Sequence, residues 1–78
     1  MLLSIELSAE AAANLEALAQ QCSEVDAGRE GATTHGPLDV LGLLAMLMED
    51  AGMVLSRPGS WEASNMRRVL EGHGYEVG

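Results

Sequence analysis

Val40-Leu41-Gly42-Leu43-Leu44-Ala45-Met46-Leu47-Met48 contains no polar side chain. At helical spacing such a run is apolar around its whole circumference, and a helix of that kind is normally buried on every side. The chain has 78 residues, and short chains bury a smaller share of their surface than long ones. A second copy, or another protein, is therefore expected to cover part of this helix. Leu41, Leu44, Leu47 and Met48 are the candidate dimerisation residues. The run is too short to cross a bilayer, and Asp39, Glu49 and Asp50 bracket it.

Working outward, Pro37 suits the first position of this second helix, where a missing N–H costs nothing. Asp39 follows in the first turn, and Gly52 is placed to end the helix after Ala51. Met53-Val54-Leu55 reads as extended or as a helical continuation. Ser56-Arg57-Pro58-Gly59 is a turn. Ser60 is the N-cap of a third helix, opened by Trp61 and Glu62 and closed by Gly72, with Met66, Val69 and Leu70 on its buried side. Tyr75-Glu76-Val77 reads as a short strand. On the other side, residues 23–36 carry Gly28, Gly31 and Gly36 among polar residues and predict a long, flexible loop. Before it, Ser8 caps a first helix that runs to about Cys22, with Ala11, Leu15, Leu18 and Cys22 on one face. Residues 2–7 alternate, with Leu3, Ile5 and Leu7 on one side, and predict another strand. That strand needs a partner. The candidates are residues 75–77 or its own copy across a two-fold axis. The expected fold is mainly α (α+β): three helices with short N-terminal and C-terminal strands, in the order β-α-α-α-β. It forms a single small domain over residues 1–78 and a dimer.

Composition narrows the function classes. Twelve Asp and Glu face four Arg, with no Lys, for a net charge of -8. Simple attraction to nucleic acid or to an anionic membrane is disfavoured, because both need a positive surface. An excess of carboxylates either keeps a small sticky domain dispersed or docks on a basic site of another protein. For the second role the candidate partner-binding residues are Glu24, Asp26 and Glu30 on the loop, with Trp61 and Glu62 on helix three. There is no Phe, one Trp and one Tyr, so Leu, Ala, Met and Val must build the core, and Trp61 is expected to be buried in it. Cys22 stands alone, which excludes an internal disulfide and a zinc-type cysteine cluster. It reads as a small buried hydrophobe. The first residues lack the basic and apolar regions of a signal peptide. The expected setting is soluble, reducing and cytoplasmic.

Chemistry finds little support. His35 and His73 lie at no ligand spacing from Cys22 or from a carboxylate pair. Glu49 and Asp50 are adjacent and point to different helix faces. The glycines near His73 follow a helix and lack the Lys of a phosphate loop. No catalytic residue, cofactor or metal ligand is assigned, and the chain is not expected to be an enzyme.

Residues 2–52, a strand followed by two helices, resemble the ribbon-helix-helix family of dimeric regulators. The resemblance rests on the strand Leu2 to Leu7, the helix from Ser8 and the apolar second helix. It implies a dimer core built from the second helices and paired strands that enter the major groove. The groove-facing positions here would be Leu2, Ser4 and Glu6, and a carboxylate there repels phosphate. Residues 60–77 also resemble the recognition helix and first wing of winged-helix proteins, with Arg67 and Arg68 where a helix meets DNA. The charge balance points elsewhere. The expected function is a small acidic protein-interaction module, acting as a homodimer. Compact acidic chains of this size occur among phage and mobile-element accessory proteins, including anti-CRISPR and other anti-defence inhibitors. Such a module would occlude a basic, nucleic-acid-handling surface of a host protein, with no direct contact to nucleic acid or membrane. The alternative is a ribbon-helix-helix-like DNA-binding regulator.

Overall fold

The computed structural model describes residues 1–77. It contains three helices: α1, Ala9–Gly28; α2, Val40–Ser56; and α3, Trp61–Gly72. The chain is mainly α, and no strand occurs among the described residues. It divides into two compact units, Met1–Leu43 and Leu44–Gly78.

In the first unit, the Ser8 hydroxyl oxygen accepts a hydrogen bond from the Ala11 N–H at 3.0 Å, and Glu10 lies in the first turn. Helix α1 continues six residues past Cys22, because nothing in Ser23-Glu24-Val25-Asp26-Ala27 breaks a helix that has already nucleated. It stops where the backbone turns left-handed, at Glu30 (φ 53°) and Gly31 (φ 77°). There the Gly31 N–H returns to the Asp26 carbonyl at 2.9 Å. The loop is therefore residues 29–39, shorter than the expected 23–36. Two side chains of α1 tie it down. The Ser23 hydroxyl donates to the Leu38 carbonyl and accepts from the Leu38 N–H, each at 2.8 Å. The Asp26 carboxylate accepts from the Thr33 hydroxyl, whose oxygen accepts in turn from the Gly36 N–H at 3.2 Å.

Helix α2 starts at Val40, three residues after Pro37, and Asp39 is its cap. The Asp39 carboxylate accepts from the Gly42 N–H at 2.7 Å, and its carbonyl accepts from the Leu43 N–H at 2.9 Å. Gly42 leaves room for this contact, since a Cβ there would lie 3.1 Å from the Asp39 carboxylate oxygen. Gly52 does not end the helix. Its cost inside a helix is about 1 kcal/mol, and Met53, Val54 and Leu55 continue the same backbone to Ser56.

In the second unit, the Ser60 hydroxyl accepts from the Ala63 N–H at 3.1 Å and donates to the Arg57 carbonyl at 2.8 Å. Arg67 reaches back to the Pro58 carbonyl at 2.9 Å, so its guanidinium fastens the turn that precedes its own helix. On the inner side of α3 Ala63 is buried and Met66, Arg67 and Leu70 are half-buried, while Val69 is exposed. After Gly72, Gly74 takes a left-handed φ of 91°. The Gly74 N–H bonds the Glu71 carbonyl and the Tyr75 N–H bonds the Leu70 carbonyl, both at 2.9 Å. This pair of bonds is a Schellman stop. It uses the Tyr75 amide that a strand at 75–77 would have offered, and no strand forms there. Residues 1–7 are also not a strand, and among the described residues their backbone groups have no backbone partner.

Replacing Ser60 by Ala removes one capping acceptor and one donor to the turn. The expected cost is about 0.5–2 kcal/mol in urea unfolding. Ser8→Ala, at a cap with a single bond among exposed residues, is expected to fall at the lower end of that range.

Candidate functional site

The first unit carries an open groove of about 450 Å³ lined by Glu16, Ala19, Gln20, Leu38, Asp39, Val40 and Leu41. Its shape follows from the elements just described. Residues 16, 19 and 20 are neighbours on α1 at helical spacing. Ser23, one turn further on, holds the backbone of Leu38 and so fixes the start of α2 beside them. The result is an apolar floor of Ala19, Leu38 and Val40, with Leu41 and the polar groups at the edge. Ala19 is buried, whereas Glu16, Gln20, Asp39 and Leu41 are exposed. Glu24 continues the Glu16–Gln20 stripe and accepts a hydrogen bond from the Gln20 amide at 3.3 Å. The edge is thus negative and the floor greasy. That arrangement suits a side chain with an apolar stem and a cationic head, as Arg and Lys have.

The residues assigned from sequence are placed unevenly. Glu24 is exposed, but on α1 instead of on a loop. Glu30 is exposed at the left-handed turn after α1. Asp26 is buried and engaged by Thr33, so it holds the loop and offers no carboxylate to a partner. Trp61 and Glu62 belong to the second unit. Trp61 is exposed as the first residue of α3, not buried in a core, and Glu62 is half-buried. Among the dimerisation candidates, Leu41, Leu47 and Met48 are exposed and Leu44 is half-buried. Sequence reasoning missed Glu16 and Asp39 as an acidic edge, with the neutral amide of Gln20 beside them. The spacing of Glu16, Gln20 and Glu24 at four-residue steps was the available signal.

Among the described residues, no group of three or more His, Cys, Asp or Glu side chains is placed to hold a metal ion. Cys22 is a free, half-buried thiol. No helix of the described chain is long and apolar enough to cross a membrane. No protein-family model, no curated protein and no solved structure matches the chain, so the reading of its function rests on its own residues.

Proposed function

We propose that this chain is a small acidic protein-interaction module, working as a homodimer, that docks on a basic surface of another protein. The observation that carries the reading is the acid-edged apolar groove of Glu16, Gln20, Leu38, Asp39 and Leu41 on a chain of net charge -8. The floor takes the aliphatic stem of a partner's Arg or Lys, and the edge carboxylates take its charge. Surfaces that handle nucleic acid are rich in such side chains. Occupying it would block that handling, as an anti-defence inhibitor of a phage or mobile element does. The ribbon-helix-helix alternative has less support, because Glu6 would stand on the groove-facing side of its strand and a net charge of -8 opposes the phosphates of duplex DNA.

Amide chemical shifts recorded during titration with a short arginine-rich peptide test the reading. Shifts are expected at Gln20, Leu38 and Leu41, and the affinity should fall as salt screens the carboxylates. Glu16→Lys with Glu24→Lys should weaken binding by about tenfold or more without unfolding, since both side chains are exposed. Duplex DNA should leave the spectrum unchanged at physiological salt. Salt-insensitive peptide binding, or shifts confined to other residues, would overturn the groove. A DNA response would restore the regulator reading.

A further inference from the structure

Helix α2 has two halves of different character. Leu43 and Val54 are buried, with Met46, Asp50 and Met53 half-buried beside them. On the other side lie Ala45, Met48, Gly52 and Leu55, all exposed, with Met48 53 % and Leu55 87 % open to solvent. Their spacing is three, four and three residues. It is the a/d pattern of a coiled-coil seam, with Ala45 and Gly52 at a and Met48 and Leu55 at d. None of the four carries a polar side chain, in a chain otherwise rich in carboxylates.

We infer that this seam is covered by the same seam of a second copy, packed antiparallel about a two-fold axis near Asp50. The inference deepens the homodimer part of the reading above by assigning the face that pairs. The large and small residues decide the occupant and its direction. Turned end to end about residue 50, the seam sets Met48 over Gly52 of the other copy and Leu55 over Ala45. Each large side chain then meets a small one at all four positions. A parallel pair would instead stack Ala45 and Gly52 on themselves and Met48 and Leu55 on themselves. That leaves voids in one layer and crowding in the next, and neither packs well. The antiparallel pair also opposes the two helix dipoles. The paired segment spans residues 44–56. The overlap does not include Leu41, which stays available to the groove.

One charge follows from this geometry. Glu49 is exposed at position e, and in an antiparallel pair e lies beside e of the partner. The two Glu49 side chains therefore flank the axis together and repel. In a parallel pair Glu49 would lie beside the apolar g positions, Leu44 and Ala51. Glu49 thus reports direction independently of the apolar seam.

Sedimentation equilibrium at micromolar concentration is expected to give twice the monomer mass, with association strengthened by added salt. Met48→Glu or Leu55→Glu should weaken association by about tenfold or more while helicity stays unchanged, because both side chains already face solvent. Glu49→Lys chains mixed with native chains should form heterodimers above the statistical share. Glu24→Lys, with the same change in net charge, should show no such excess. A dimer that survives both seam substitutions would overturn the seam and leave the homodimer standing. A dimer lost on those substitutions but without heterodimer preference at Glu49 would overturn the antiparallel direction. A monomer under all conditions would overturn seam and homodimer together, while the peptide titration would still judge the groove.

Discussion

Leu43→Ala is expected to lose about 2–5 kcal/mol of stability, and Leu41→Ala, two residues away on the same helix, almost none. Leu43 is 3 % exposed and Leu41 is 78 % exposed. Truncating Leu43 removes buried methyl groups and leaves a cavity that its neighbours fill only in part. The other buried apolar residues are Ala19, Val54 and Ala63, all smaller than Leu. A chain of this size has a few kcal/mol in reserve, so the variant should be largely unfolded at room temperature. Urea unfolding followed by far-ultraviolet circular dichroism separates the two substitutions. Equal losses at positions 41 and 43 would contradict the placement of the two faces of α2. The comparison should be made at low protein concentration, where association adds little to the apparent stability.

Asp26→Ala is expected to cost about 1–3 kcal/mol, because it removes the acceptor of the Thr33 hydroxyl in a part-buried site. The effect should spread along the loop, since the Thr33 oxygen in turn holds the Gly36 N–H. Asp26→Asn, which keeps an acceptor oxygen, should cost less. Thr33→Val should match Asp26→Ala, and the double variant should fall short of the sum, as expected for side chains in direct contact. Thermal unfolding and exchange of the Gly36 amide are the measurements. Glu24→Lys is the control: one turn from the same loop but exposed, it should leave stability within about 0.5 kcal/mol. If Asp26→Ala proved as mild as Glu24→Lys, Asp26 would not be the anchor of the loop.

The helices were legible because their signals are local. Ser8 and Ser60 announce the starts of α1 and α3 by hydroxyls that can reach the amide three residues on. The apolar run at 40–48 announces α2. The ends were less legible, because stopping depends on which glycine turns left-handed. Gly28, Gly52 and Gly72 all sit inside helices, while Gly31 and Gly74 carry the positive φ just beyond the ends of α1 and α3. The alternation at residues 2–7 is a real pattern, but a strand also needs a neighbour to bond, and pattern alone supplies none. The placement of Asp26 was hidden for a related reason. Its burial depends on Thr33 folding back across a turn, a contact no helical periodicity encodes. The groove was invisible for the same cause, since Ser23 builds it by gripping the backbone of Leu38, whose identity leaves no trace in the bond.

That grip between Ser23 and Leu38 spans 15 residues. Among the described residues every other side-chain hydrogen bond spans nine or fewer. Bonds this local close quickly, and helical chains of low contact order fold in about microseconds to milliseconds. At micromolar concentration two chains meet far more slowly, roughly once in 0.1–10 s at ordinary association rates. Each copy therefore completes its own turns and caps before another arrives. Encounters take place between finished surfaces, and the interval in which Leu43, Val54 and their neighbours lie open to strangers is brief. A protein that leaves Leu55 and Met48 in water is thereby spared the commoner hazard of leaving everything apolar in water at once.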